Sequence, residues 1–462
     1  MKKKVIFSVL IALLIGLSYG IYYLKNALPI ATGYSAKILC SCVFLSERNE
    51  NSCLEQDLSK FGIVTTQVDY EEKTVSATVH GFAERTAIYR EGLGCTLIIE
   101  DEKKLAQPKL TPNFKFQTSS DTIPWPMGDK TEQKPLPPEI DKAKLNAVLD
   151  NAFSEPLPDA KRYTRAIIVV YKNQIIAERY ADGINENTCL TGWSMAKSVT
   201  GTLIGLLAKR GKLDINDRAP IPKWANDSRK EITIDQLMRM SSGLQFEEVY
   251  GGVSDATNML FNSYSAADFA IDKPLHTEID GEWYYSSATT NILGKLVGET
   301  VKKDRKDYMN FPKEELFNKI GMHRAVMEVD ASGNIVGSSF MYATARDWAR
   351  FGLLYLHDGV WNRERILPKG WVEYVSTPTP KAPLGKYGAQ FWLNAGEQGN
   401  ENNRPWPHLP NDIFYCSGYE GQNVIIIPSY DMVIVRLGLA ENREVYKKEE
   451  LIEGVLGAVK PS

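Results

Sequence analysis

Residues Val5 to Leu24 carry no charge, and a run of about twenty such residues is long enough to cross a bilayer as a helix. Met1-Lys2-Lys3-Lys4 precedes the run, and Tyr19, Tyr22 and Tyr23 sit toward its far end, where an interfacial aromatic belt would lie. The lysines keep the short N-terminus cytoplasmic, so everything after Lys25 is expected outside a cytoplasmic membrane, in the periplasm or the extracellular space. A cleaved signal peptide is the competing reading. Its apolar region is usually shorter and ends in a small-residue cleavage site, so we expect an uncleaved single-pass anchor over residues 1–30.

Beyond the anchor the chain is globular in composition, with 43% hydrophobic and 24% charged residues. Its 462 residues suit two or three domains at about 100–200 residues each. The net charge is -3 and the cations are dispersed, which excludes a general nucleic-acid surface. Cys40, Cys42, Cys53 and Cys95 crowd the region just outside the membrane, where disulfides are permitted. One or two bridges are expected there, with the pairing open; no C-x-x-C pair or histidine partner supports zinc. Val75, Ala77 and Val79 alternate with Ser76, Thr78 and His80, and Cys95 to Ile99 is apolar, so residues 31–106 read as a small β-rich region. Pro108, Pro112, Pro124, Pro126, Pro135, Pro137 and Pro138 make residues 107–138 an extended connector.

Residues 139–462 begin with a helix, Asp141 to Phe153, and a hairpin of Ala166 to Tyr171 with Ile175 to Tyr180. Helical patterns follow at Thr233–Met240, Ala266–Ile271, Thr290–Thr300 and Ala345–Leu356. Strands return at Asn423–Ile427 and Met432–Leu437 before a last helix, Lys447 to Val459. Strands at both ends with helices between predict an α+β domain: one antiparallel sheet, covered by helices and carrying a helical insertion.

Within it, Met195, Val199, Leu203, Leu206 and Leu207 recur at helical spacing up to Lys209-Arg210-Gly211, a C-terminal signature. Ser194 and Lys197 fall on one face of the first turn. Serine and lysine three apart arise by chance about twice in a chain of this length, so the context carries the weight. An ammonium on an apolar helix is costly unless it is used, and desolvation lowers its pKa until it can take a hydroxyl proton. The bland alternative is a snorkelling lysine. His80, His276, His323, His357 and His408 form no metal-binding spacing, no G-x-S-x-G elbow surrounds Ser194, and no phosphate or dinucleotide loop is seen. No metal and no cofactor are expected.

From about Ile140 to Lys460 the chain resembles the serine β-lactamase and penicillin-recognising superfamily, in particular its class C-like branch of esterases and 6-aminohexanoate-dimer hydrolase-like amidases. Trp193-Ser194-Met195-Ala196-Lys197-Ser198 matches the nucleophile motif, and Trp283-Tyr284-Tyr285-Ser286-Ser287 with Asn291-Ile292-Leu293-Gly294 resembles the tyrosine motif. The resemblance implies Ser194 as nucleophile, with Lys197 and Tyr285 as its catalytic partners; Tyr284 is the near alternative. Ser287 stands where many members carry asparagine. Phe414-Tyr415-Cys416-Ser417-Gly418-Tyr419 resembles the strand motif, which implies substrate contacts from Cys416, Ser417 and Gly418 and an oxyanion hole from the backbone N–H groups of Ser194 and Tyr419. Cys416 replaces the usual lysine or histidine, which argues against penicillins. Tyr250, in the loop Met240–Tyr250, is the candidate for a further substrate contact, and packing on the surface is its alternative.

The resemblance implies a fold of the β-lactamase/transpeptidase type and a serine hydrolase acting on an amide or ester of a small-molecule or peptide-like substrate through an acyl-enzyme. A D-alanyl peptidase or β-lactamase, and a catalytically silent ligand-binding relative, are the rivals. A bridge between Cys189 and Cys416 beside the site is a further expectation. The sequence leaves the oligomeric state open.

Overall fold

Helix α1 runs unbroken from Lys2 to Cys40 in the computed structural model, which describes residues 2–99, 122–131, 134–303 and 308–460. It is long and apolar enough to cross a membrane. Its two halves differ in surroundings. Side chains such as Leu13, Leu17 and Ile21 are exposed, whereas Ile30, Ala36, Ile38 and Leu39 are buried in the protein core. The helix thus continues past residue 30 and becomes part of the folded body.

The buried half packs on a four-stranded antiparallel sheet of β1 (Thr65–Asp69), β2 (Thr74–Val79), β3 (Phe82–Arg90) and β4 (Gly94–Ile98). Val75, Ala77 and Val79 of β2 point inward and their neighbours outward, the period-2 burial of a sheet with one covered face. Disulfides join Cys40 to Cys95 and Cys42 to Cys53, tying the end of α1 to β4 and to the turn that follows it.

Two charged clusters hold this N-terminal part against the larger domain. Lys37 pairs with Glu328, both almost fully buried. Ser41 Oγ (2.9 Å) and the Cys95 N–H (2.6 Å) also donate to Glu328 Oε1. Gly94 has φ 67°, and a Cβ on it would lie 2.5 Å from that carboxylate oxygen. Asp57 accepts from Arg48 (2.8 Å) and from Arg165 (2.6 Å), which stands on the larger domain. Burial alone would push the Glu328 carboxyl up and the Asp57 carboxyl likewise; the paired arginines more than reverse this for Asp57, which lies below its usual value, while Glu328 stays above.

In the larger domain, helix α2 (Lys142–Phe153) is capped by Asp141, whose side chain accepts from Lys144 N at 3.1 Å. It leads into β5 (Thr164–Tyr171) and β6 (Gln174–Tyr180). The turn between them is Lys172-Asn173, with φ of 48° and 63°, the two left-handed residues of a type I′ hairpin. Next come β7 (Leu190–Thr191) and helix α3 (Met195–Lys209). The helical insertion holds α4 (Ile234–Arg239), α5 (Asp255–Phe261), α6 (Ala266–Ile271) and α7 (Ser287–Lys303). Strands β8 (Val326–Met327) and β9 (Met341–Ala343) form a small sheet with β7, and α8 spans Ala345–Leu356. The chain closes with β10 (Trp392–Leu393), β11 (Phe414–Gly418), β12 (Gln422–Ile427), β13 (Met432–Gly438) and α9 (Lys448–Gly457).

The main sheet has the order β10-β11-β12-β13-β5-β6 and every pairing is antiparallel. Its central strands are buried on both sides, which is why Thr164 to Tyr171 reads as an unbroken buried run. Ile167, Val169 and Ile434 pack toward α2 and α9, while Ala166, Ile168, Val170 and Val435 join the core that contains α3 and α8. A β-bridge between Ile140 and Val459 brings the two ends of the domain side by side. This is the α+β arrangement, with helices on both faces of an antiparallel sheet.

Two expectations meet a different outcome or none. Cys189 and Cys416 are free thiols, so no bridge joins them. Cys189 packs with Leu45, Val326 and Tyr342 and donates to Arg324 O, whereas Cys416 lies in the main core, so the intervening elements keep them in separate clusters. Pro108 and Pro112 lie outside the described residues. Farther along the tract, Trp125 donates to Asn173 O (3.1 Å) and Arg350 of α8 donates to Pro126 O (2.8 Å).

Removing the Glu328 carboxylate leaves Lys37 as an uncompensated buried charge and strips the acceptor from Ser41 and the Cys95 N–H. Glu328→Ala is expected to cost about 3–5 kcal/mol, read as a lowered urea midpoint of the full chain in detergent micelles.

Candidate active site

The turn into α3 places the serine. Gly192 N donates to Met341 O at 2.8 Å, Trp193 takes a left-handed φ of 46°, and Ser194 follows at φ −60° as the residue that caps the helix. Gly192 has no room for a side chain, since a Cβ would lie 2.4 Å from the Trp348 ring. Lys197 sits one turn on and is 1% exposed.

The Lys197 amine has three partners: Ser194 Oγ at 3.0 Å, Ser287 Oγ at 2.9 Å and Ser338 O at 3.0 Å. It lies 4.9 Å from the centre of the Tyr285 ring. Burial pulls its pKa down to about 8, with the Glu248 carboxylate pulling the other way. A neutral amine has two hydrogens and one lone pair. Ser287 and Ser338 occupy the hydrogens, which leaves the lone pair for the Ser194 hydroxyl.

Helix α7 begins at Ser287, so the residues just before it are delivered to the same spot. Tyr285 is half-buried and hydrogen-bonds Ser194; desolvation, reinforced by Glu248, raises its pKa so that it stays a phenol, while the Ser194 bond works against this. Tyr284 turns outward and is 42% exposed. Ser287, in the position where relatives often have asparagine, accepts from Lys197 and donates to Glu248 Oε1 at 2.6 Å.

Glu248 is the residue that sequence reasoning passed over. Its carboxylate also accepts from Ser287 N (2.7 Å) and Tyr250 OH (2.7 Å), completing a chain Glu248–Ser287–Lys197–Ser194. The loop that carries it was visible through Tyr250, but nothing in an acidic pair before Val249 marks one carboxylate as turned inward. Tyr250 lies 3.2 Å from Ser287 Oγ and stacks on Tyr419, with ring centres 6.0 Å apart.

The strand motif approaches from β11. Gly418 packs directly on the turn before Ser194: a Cβ there would lie 2.2 Å from Gly192 O. Any larger residue would force the strand and the nucleophile turn apart. Tyr419 follows, its ring edge-on to Trp193 at 5.8 Å. Along β11 the side chains alternate. Cys416 is buried in the core beside Ser198, and burial pushes its thiol up to about 12. Ser417 faces the other way, where Lys448 of α9 donates to its hydroxyl at 2.8 Å. The structure therefore brings Ser194, Lys197, Tyr285, Tyr250, Gly418 and Tyr419 together, and directs the Cys416 and Ser417 side chains elsewhere.

Ser194, Trp193, Tyr250 and Tyr419 share a cavity of about 410 Å³. That falls within the range of about 300–1,000 Å³ typical of small-molecule sites. Among the described residues no cluster of histidine, cysteine or carboxylate side chains could hold a metal ion.

Comparison with known proteins agrees with this architecture. The 6-aminohexanoate-dimer hydrolase of Paenarthrobacter ureafaciens is 27% identical over 337 residues, 66% of this chain and 81% of that protein. A family VIII carboxylesterase superposes with a TM-score of 0.54 at 15% identity, covering 71% of this chain and 99% of that one. A penicillin-binding protein homologue from Caulobacter crescentus gives 0.53 at 14% identity, covering 70% and 98%. The two structures share the fold. The beta-lactamase family profile matches residues 149–450, well over half of the chain, and that span holds Ser194, Lys197, Glu248, Tyr285, Ser287 and Gly418, so the chain belongs to the beta-lactamase family, a family of hydrolases.

Proposed function

We propose that this protein is a serine hydrolase that cleaves an ester or amide through an acyl-enzyme on Ser194. The observation that carries the reading is the buried Lys197 amine, 3.0 Å from Ser194 Oγ, with a pKa near 8 and its other two partners taken. In its neutral form Lys197 takes the hydroxyl proton as Oγ bonds the substrate carbonyl carbon. The backbone N–H groups of Ser194 and Tyr419 receive the oxyanion. Tyr285, held as a phenol, hands a proton to the departing alcohol or amine, and Lys197 resupplies it. Water then splits the acyl-serine to a free acid.

The site offers Glu248 and Ser287 as positioning residues that hold the Lys197 amine. Cys416, buried and neutral, supplies no cation for a substrate carboxylate, which favours the esterase and amidase reading over penicillins. The hydrolase relative from Paenarthrobacter and the carboxylesterase fold are consistent with an amide or ester. We place the domain outside a cytoplasmic membrane, held there by the apolar part of α1.

Treatment of the full chain with a fluorophosphonate is expected to give one adduct by intact mass. Ser194→Ala should abolish it, and Lys197→Ala should slow it by about 10²–10⁴-fold. A folded wild type that takes no adduct sinks the reading in favour of a silent ligand-binding relative.

Only the neutral amine accepts the proton, so labelling should be fast above the Lys197 pKa and fall away as pH drops through about 8. Glu248 raises that pKa, so in Glu248→Gln the ammonium loses stabilisation and the midpoint should move to lower pH. A midpoint that stays put or rises would show that the carboxylate does not act on Lys197.

A further inference from the structure

One wall of the Ser194 cavity comes from outside the beta-lactamase-like part of the chain. Ala27, Ile30, Ala31 and Tyr34 of α1 line it, together with Phe61. Tyr34 is the centre of this wall: its ring stacks on Phe61 at 4.7 Å and meets Phe261 at 5.3 Å and Trp193 at 6.2 Å. The residue preceding the nucleophile is thus in ring contact with the N-terminal helix.

The same helix carries the exposed apolar run that ends at Leu24. Ala27 follows three residues later, an axial rise of about 4.5 Å in an α-helix. Gly252, also on the cavity wall, approaches Tyr23 so closely that a Cβ would lie 3.4 Å from its hydroxyl oxygen. A membrane interface set by Tyr19, Tyr22 and Tyr23 would put the cavity at the edge of the bilayer. Its lining is mainly aromatic and aliphatic near α1, while Asp57, Lys60, Glu420 and Glu441 add charged groups.

We propose that the substrate is a membrane-resident amphiphile, an ester or amide bearing an acyl chain, which passes from the outer leaflet along α1 into the Ser194 cavity. The inference rests on the hydrolase reading and names its substrate class. An acyl chain that moves from lipid onto the Ala27–Tyr34 face is never exposed to water over its length, so the hydrophobic cost of extraction is largely avoided. Ser194 Oγ bonds the carbonyl carbon, the bond to the alcohol or amine breaks, and that group leaves with the serine proton. Water then releases the acid, which stays apolar enough to return to the bilayer.

The test uses the full chain reconstituted in phosphatidylcholine vesicles, with 4-methylumbelliferyl acetate in the water phase and 4-methylumbelliferyl palmitate in lipid. Palmitate placed in the enzyme's own vesicles should turn over about tenfold faster or more than the same amount in separate, protein-free vesicles. Ala31→Trp, which fills the α1 wall, should lower the palmitate-to-acetate ratio by a similar factor. Equal rates from the two vesicle populations would overturn the proposal. Acetate turnover or a fluorophosphonate adduct on Ser194, without palmitate turnover, would overturn it while leaving the hydrolase reading intact. Absence of turnover and of adduct would remove both.

Discussion

The site depends on keeping one amine out of water. Lys197 is 1% exposed, and its environment is what turns an ordinary lysine into a group that can exchange a proton with Ser194 near neutral pH. The surroundings serve that end. Trp193 and Gly192 bend the chain so that α3 starts at Ser194, Ser338 O and Ser287 Oγ hold the amine, and Tyr285 lies against it. Glu248 limits how far the pKa falls. Without a carboxylate nearby, burial would favour the neutral amine more strongly, so the balance between desolvation and this one charge decides how the site is poised.

A second buried cation, Lys37, does different work. It joins α1 to Glu328, with the Cys40–Cys95 bridge anchoring the same helix end to β4. Buried ion pairs are weak sources of stability, but breaking one is expensive, so a displaced α1 would leave both groups buried without a partner. The position of α1 matters because Ala27 to Tyr34 form part of the cavity. The N-terminal region is in this respect a component of the site.

Much of the architecture was legible from local patterns. The hairpin of β5 and β6, the apolar stripe of α3 and the returning strands β12 and β13 follow from periodicity, because each face of the main sheet is covered and the burial rules are strict. Ser194 and Lys197 were legible as well, since three-residue spacing on a helix fixes a shared face. Tyr285 needed the resemblance to known motifs to be preferred over Tyr284. Glu248 was not visible, and neither was the direction of Cys416, because an acidic residue in a loop and a cysteine in a strand carry no mark of which way they turn. The expected Cys189–Cys416 bridge failed for the same reason: nearness to one motif in sequence says nothing about which buried cluster a side chain joins.

The sequence by itself determined the elements and the chemistry available: an apolar helix able to span a bilayer, an α+β domain, and a serine with a lysine one helical turn away. Those properties are set by spacing and side-chain type within a few residues. Only the tertiary structure decided that residues 27–34 face Ser194, that Glu248 closes the chain through Ser287 to Lys197, and that Cys40 and Cys42 choose Cys95 and Cys53. These are contacts between segments far apart in the chain, chosen by packing and by the pairing of buried charges, and no local pattern encodes them.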